Sequence, residues 1–208
     1  MKALIISNGN LNDIDIDYYF QNADIVICAD GGARHLFSEN LTPDFIIGDL
    51  DSLDLEILNR FKRVGVGLQK HSTHKDKTDT ELSIEYAIEK GANDIVLLGA
   101  IGSRLDHSMA NIMLLYKFIN QNINITVIDS HNEVFITKDL LRLNNKEDSF
   151  ISIIPLINSK VSLQGFEYDT NCVDFNIGST LGISNAIKDE VGLVKVEEGI
   201  CLVIRSRD

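Results

Sequence analysis

Pro43-Asp44-Phe45-Ile46-Ile47-Gly48-Asp49-Leu50-Asp51-Ser52 passes from a short apolar run through a glycine into two carboxylates. Phe45 to Ile47 reads as a buried strand, the kind found in a parallel sheet covered on both faces by helices. Asp49 and Asp51 stand two apart, so on extended chain they share a side. Gly48 lets the backbone bend as it leaves the sheet. In open parallel sheets ligands bind beyond the carboxyl ends of the strands, which is where these acids fall. The competing reading is a solvated turn in which Asp51 or Ser52 caps the next helix.

A second acidic run, Lys75-Asp76-Lys77-Thr78-Asp79-Thr80-Glu81, opens a helical pattern. Thr78 and Glu81 have capping-box spacing, and Gly91 supplies the stop. The helix dipole accounts for Asp79 in the first turn, but not for Asp76 before it. Lys75 and Lys77 interleaved with these acids suit a site for metal and phosphate, or equally a mixed-charge loop. Two unit charges ~5 Å apart repel by roughly 3 kcal/mol at an effective dielectric near 20. A divalent cation between converging acids removes that penalty. Mg2+ is therefore the first expectation and a phosphate-bearing substrate the second.

Working outward, Ala3 to Ile6, Ile25 to Cys28, Ile95 to Leu98 and Ile125 to Ile128 repeat the short apolar texture of Phe45 to Ile47. Helical patterns separate them. The clearest is Leu105, Met109, Ile112, Met113 and Tyr116, spaced by three and four, as on the core-facing stripe of a helix. Strand-helix alternation predicts an α/β domain with right-handed crossovers. Beyond residue 146 the strand-like runs are Phe150 to Ile154, Val161 to Phe166, Cys172 to Ile177, Val191 to Val196 and Ile200 to Arg205. No long helix intervenes, and Glu198-Gly199 marks a hairpin. The expected organisation is a Rossmann-like, mostly parallel sheet domain over 1–143 and a smaller all-β sandwich over 147–208. The polar stretch Asn144 to Asp148 is the expected boundary.

The 208 residues suffice for one large or two small domains, and their net charge of −12 argues against a nucleic-acid groove, which needs a basic patch. Cys28, Cys172 and Cys201 match no zinc spacing and read as small hydrophobes in a reducing compartment. The polar start is unlike a signal peptide, and no run reaches the ~20 apolar residues of a membrane span. A cytoplasmic protein without membrane partners is expected.

Two further runs follow strand ends. Asp30-Gly31-Gly32-Ala33-Arg34 offers a sharp turn, close backbone approach and a helix start that would aim N–H groups at a phosphate, or else a plain strand-to-helix turn. Gly99-Ala100-Ile101-Gly102-Ser103-Arg104-Leu105-Asp106-His107 brings a guanidinium suited to bidentate phosphate contact, with an acid and an imidazole that can bind substrate or move a proton. No P-loop, complete Gly-x-Gly-x-x-Gly or Gly-x-Ser-x-Gly run is present. His35, His71, His74 and His131 read as surface or loop residues. Asp13, Asp15 and Asp17 read as a solvated face.

These runs, in this order, resemble the thiamine pyrophosphokinase (thiamine diphosphokinase) family. The match extends through Asn111 into Gly165-Phe166-Glu167-Tyr168 and Gly182-Ile183-Ser184-Asn185, so it covers nearly the whole chain. The resemblance implies an α/β domain binding ATP and Mg2+ and a β-sandwich binding thiamine. It implies transfer of diphosphate from ATP to the thiamine hydroxyl, with AMP as the other product. It also implies a homodimer with composite active sites. By position, Asp49, Asp51, Asp76 and Asp79 look like the Mg2+- and phosphate-organising acids. Asp30, Gly31, Gly32 and Arg34 fall in the nucleotide-side turn. Arg104, Asp106, His107, Lys75 and Lys77 look like substrate and phosphate contacts, and Ser184 and Asn185 like thiamine contacts. Ser103 stands where relatives often carry a second glycine. The chain has no tryptophan, and Tyr168 stands near the place where some relatives cover the thiamine ring with one. A Mg2+-dependent nucleotide or phosphate-ester hydrolase would use the same acids with water as nucleophile. A non-catalytic thiamine or nucleotide sensor needs fewer charges than this chain carries.

Overall fold

The computed structural model describes residues 1–51, 53–70 and 76–208. Contacts divide the chain into two compact units, Met1–Ser130 and His131–Asp208.

In the first unit, strands β1 (Lys2–Ile6), β2 (Ile25–Ala29), β3 (Phe45–Gly48), β4 (Gly67–Lys70), β5 (Asp94–Leu98) and β6 (Asn124–Ile128) run parallel in the order β4-β3-β2-β1-β5-β6. Helices α1 (Ile16–Gln21), α2 (Ala33–Ser38), α3 (Leu55–Arg63), α4 (Asp79–Glu89) and α5 (Leu105–Phe118) connect them. Side chains alternate across the sheet. Leu4, Ile6, Val26, Cys28 and Ile46 form one core with Ile16, Leu36, Ile57 and Phe61 of α1 to α3. Ala3, Ile5, Ile27 and Ile95 point the opposite way and are equally buried, as are Ile84 and Ala87 of α4. A strand that must be apolar on both faces reads as a continuous run, which is why these strands were legible. The edge strand β4 was not, because Gly67-Leu68-Gln69-Lys70 is only half-buried or exposed.

Thr78 caps α4 as its spacing predicts, its hydroxyl oxygen accepting from the Glu81 N–H at 3.2 Å. Gly91, just past the helix end, takes a left-handed φ of 94°. The expected inward stripe on α5 is corrected. Leu105, Met109, Met113 and Tyr116 are exposed, and the buried residues of α5 are Ser108, Leu115 and Phe118. Periodicity establishes that a helix has an apolar face, not that the face meets its own core.

The second unit is a β-sandwich. Strands β7 (Asn132–Thr137), β13 (Cys201–Ser206) and β9 (Phe150–Pro155) form one antiparallel sheet, with β13 central. Strands β11 (Thr170–Phe175), β10 (Ser159–Gln164), β12 (Val191–Glu198) and β8 (Leu140–Asn144) form the other, in that order. Ile151, Ile153 and Val203 from the first sheet meet Leu143, Val161, Leu163, Val194 and Val196 from the second in one core. The division between units falls at Ser130/His131 instead of within 144–148. β7 and β8 find their partners in β13 and β12, so the polar stretch joins strands inside the second unit. The Glu198-Gly199 turn joins β12 to β13 as read, with Gly199 at a φ of 100°.

Candidate active site

The sheet order places β2 on one side of β1 and β5 on the other. The crevice between the carboxyl ends of β1 and β5 is thus the topological switch point of the sheet, where open α/β folds bind ligands. A cavity of about 1000 Å³ opens there. It receives Ser7 to Asn10 after β1, Asp30 and Gly31 after β2, residues 99–104 after β5, and Asp129 and Ser130 after β6, together with the first turns of α4 and α5.

Glycine makes this convergence possible. A Cβ on Gly9 would stand 2.6 Å from the Ile101 carbonyl oxygen, and one on Gly32 2.8 Å from the Ile6 carbonyl carbon. A Cβ on Gly48 would stand 2.7 Å from the Cβ of Asp30, so the bare end of β3 admits the Asp30 turn against it. Asp30 and Leu50 both have positive φ, 42° and 64°. Such backbone is costly for a residue with a side chain and concentrates at functional sites.

Leu50 also corrects one expectation. The chain is not extended through Asp49 and Asp51; the Asp49 carboxylate accepts from the Asp51 N–H at 3.0 Å, closing a tight turn. Asp30, Gly31, Asp79, Arg104, Asp106 and His107 line the cavity. Asp49, Asp51, Asp76, Lys77, Gly32 and Arg34 lie outside its lining, with Asp49 directly following Gly48 at the end of β3. Lys75 and Ser52 lie outside the described residues. Lys77 does not reach for phosphate here: its ammonium donates to both Glu85 carboxylate oxygens, at 2.8 and 2.9 Å.

Arg104 grips Asp106 bidentately, at 2.6 and 3.2 Å, and both side chains are exposed. The Arg104 guanidinium holds the Asp106 carboxyl below the usual carboxylate range. Ser108 and Asn111 shape the loop above them. The Ser108 hydroxyl contacts Gly102 and Arg104, and the Asn111 amide donates to the Ala100 carbonyl at 2.8 Å.

Sequence reasoning missed Ser7, Asn8, Gly9, Asn10 and Thr80. The signal available was Asn8-Gly9-Asn10 directly after the first strand, passed over because it lacks the dinucleotide glycine pattern. His35 is likewise not a plain surface residue. It is half-buried, burial pushes its pKa down, and a hydrogen bond to the Gly9 backbone opposes that shift.

The lining holds four carboxylates, on Asp30, Asp79, Asp106 and Asp129, against one guanidinium. A polyphosphate in such a cavity needs added positive charge, and hard carboxylate oxygens suit Mg2+. Among the described residues no group of three or more acids, imidazoles or thiols is poised to hold an ion. Mg2+ with nucleotide substrates is commonly held by one or two carboxylates plus phosphate oxygens and water, so the donor set fits without such a cage.

On the second unit, Tyr168 is 74% exposed and Ser184 is exposed. Asn185 is different. It is buried, its amide oxygen accepts from the Tyr168 and Ala186 N–H groups, and its amide nitrogen donates to the Tyr168 carbonyl at 2.9 Å. The residue expected to contact thiamine also clamps the Tyr168 turn.

Residues 16–127 match the family model described as thiamin pyrophosphokinase, catalytic domain, and residues 138–201 the model described as thiamin pyrophosphokinase, vitamin B1 binding domain. The chain is 33% identical to the thiamine pyrophosphokinase of Bacillus subtilis over 216 residues, covering all of both chains. It is 24% identical to thiamine pyrophosphokinase 1 of Arabidopsis thaliana over 90% of this chain and 80% of that one. The crystal structure of the Bacillus subtilis enzyme superposes with a TM-score of 0.91 at 30% identity, covering both chains fully. That of the Geobacillus thermodenitrificans enzyme superposes with a TM-score of 0.86 at 29% identity, covering 100% of this chain and 98% of that one.

Proposed function

The chain belongs to the thiamine pyrophosphokinase family and transfers diphosphate from ATP to thiamine, and we propose that the cavity at the β1–β5 switch point is where ATP is held for that transfer. The observation that carries this reading is the convergence of Asp30, Asp79, Arg104 and Asp106 on one cavity beyond the strand ends. Transfer of this kind depends on positioning and on stabilising charge. The thiamine hydroxyl attacks the β-phosphorus in line, the bond to the α-phosphate oxygen breaks, and AMP leaves.

Arg104 supplies fixed positive charge, released toward phosphate when Asp106 lets go of one of its N–H groups. Asp79 accepts the hydroxyl proton. Asp106 is a poor proton acceptor, because Arg104 engages both its oxygens and holds its carboxyl below the usual carboxylate range. Asp49, Asp51, Asp76 and Asp79 are the acids that would organise Mg2+ and the phosphates. The ion would supply positive charge that offsets the charge on the phosphate oxygens. On the β unit, Tyr168 stacks on thiamine and Ser184 contacts it. The protein works in the cytoplasm as a homodimer. The exposed apolar residues Leu105, Met109 and Met113 on one unit and Leu181 and Ile183 on the other support self-association, and light scattering reads it directly.

The test combines protein, ATP, Mg2+ and thiamine and resolves the nucleotide products. Thiamine diphosphate with AMP is expected; ADP would contradict the mechanism. Asp51→Asn is expected to lower turnover on the order of 100-fold with folding intact. Full Mg2+-dependent activity in that variant would remove the metal assignment. Asp79→Asn is expected to lose more turnover than Asp106→Asn, and the reverse order would exchange their roles.

A further inference from the structure

Ser7 ends β1 and Thr80 sits in the first turn of α4. Their side-chain oxygens lie 2.9 Å apart, and both residues are buried, at 4% and 7% exposure. Both line the cavity. Two hydroxyls carry two protons, and the bond between them uses one. Among the described residues neither side chain makes another hydrogen bond that would take the second proton. Native structures rarely leave a hydroxyl proton unmatched, and on the cavity side this one is matched by water until a ligand displaces it. The cavity is the direction in which an acceptor can be supplied.

We propose that the Ser7–Thr80 hydroxyl pair is a substrate-binding element that donates one hydrogen bond to a phosphate oxygen of the bound nucleotide. The inference rests on the assignment of ATP to this cavity and names two contacts for it. A charged phosphate oxygen is the acceptor that gains most from a buried neutral donor. The hydroxyl adds no charge of its own to a site already rich in carboxylates. The pair also fastens the first turn of α4 to the end of β1. The same bond therefore sets the place of Asp79, the residue preceding Thr80, relative to the nucleotide.

The pattern across variants separates binding from a merely structural role. Ser7→Ala or Thr80→Val leaves one hydroxyl, whose proton is then free for the ligand. Each single variant is expected to lose stability, because a buried hydroxyl has lost its partner. Each is expected to keep nucleotide affinity within about threefold, less than the loss of one net hydrogen bond. The double variant leaves no unmatched hydroxyl and is expected to regain stability relative to the singles. It has no donor for the phosphate, and its affinity is expected to fall about tenfold, the scale of a bond to a charged acceptor.

The probe is α,β-methylene-ATP with Mg2+, which cannot undergo the transfer, titrated by calorimetry and paired with thermal melts. In steady state KM for ATP rises and KM for thiamine does not. A double variant with the wild-type Kd overturns the proposal, as does affinity that tracks stability, worst in the singles and better in the double. If the wild-type protein bound none of the analogue, the ATP assignment would fall and this proposal with it. Wild-type binding with an unaffected double variant removes this proposal alone.

Discussion

Gly31 and Gly32 are neighbours in one 3-10 turn, and alanine at the two positions is expected to have opposite consequences. Neither has a left-handed φ, so the comparison is of space alone. A Cβ on Gly32 overlaps the Ile6 carbonyl oxygen and stands 2.8 Å from its carbon. Ordinary carbon–carbon contact begins at ~3.5 Å. The end of β1 and the start of α2 must then separate by about 1 Å. The obstructing atoms are backbone held in the sheet by β2 and β5, so no side chain can yield in their place. Overpacking of this sort costs ~1–3 kcal/mol, and alanine recovers at most ~1 kcal/mol through the unfolded chain. Gly32→Ala is expected to lose about 1–2 kcal/mol of stability net. A 1 Å displacement at the switch point is expected to lower kcat/KM about 100-fold. At Gly31 the Cβ meets only the far end of the Asn8 side chain, at 2.7 Å, and that side chain can rotate away. Gly31→Ala is expected to stay within ~0.5 kcal/mol of the parent, with its effect confined to KM for ATP as Asn8 moves in the cavity. Urea unfolding gives the stabilities and thiamine-dependent AMP release gives the rates. A Gly32→Ala protein as stable as the parent, or a Gly31→Ala protein less stable than Gly32→Ala, would refute the packing argument.

Asn185→Ala should cost ~1–3 kcal/mol in urea unfolding, because it strips partners from the buried backbone of the Tyr168 turn; a change in thiamine KM at unaltered stability would restore Asn185 as a ligand contact. Burial pushes the Cys28 thiol far up and raises that of Cys201, whereas Cys172 is exposed; a thiol reagent at mild alkaline pH should label Cys172 alone in the native protein and all three cysteines in denaturant. Lys117 joins α5 to Glu81 and Glu85 of α4. Burial pushes the Glu85 carboxyl up, but hydrogen bonds from Lys117 and Lys77 more than offset this and hold it below 4.5. A depressed carboxyl stabilises the fold above its unfolded pKa and ceases to do so as the pH falls through its folded pKa. Lys117→Met should therefore cost no more than about 1 kcal/mol at pH 7, a gap that narrows only as the pH falls below 4.5 and closes once Glu85 is protonated in the folded state; a gap that survives full protonation of the carboxyls would mean that the lysine acts through its packing.

The strands that proved legible are those buried on both faces. β1, β2, β3, β5 and β6 carry unbroken apolar runs because helices cover the sheet twice over. β4, β7 and β8 lack such runs, and without them the second unit was expected to begin too late. The start of α4 was legible because a capping box is local chemistry between Thr78 and Glu81. The stripe on α5 was legible as periodicity and misread as orientation, since no spacing along one helix states what lies across from it.

The same division holds at the site. Local pattern sufficed to place acids and glycines at strand ends, and motif order sufficed to indicate the family. Which of those residues share a cavity depended on strand order. Only β1 lying between β2 and β5 makes the Asn8-Gly9-Asn10 turn the floor of the crevice. Only the crossover of α4 brings Thr80 against Ser7, 73 positions away in the chain. Hydrogen bonds drew the remaining distinctions. They paired Lys77 with Glu85, Arg104 with Asp106 and Asn185 with the Tyr168 backbone, partners that residue type alone does not indicate. The physical reason is range. Propensity, capping and periodicity act within a few residues, whereas convergence and pairing are set by which distant segments the buried core forces together.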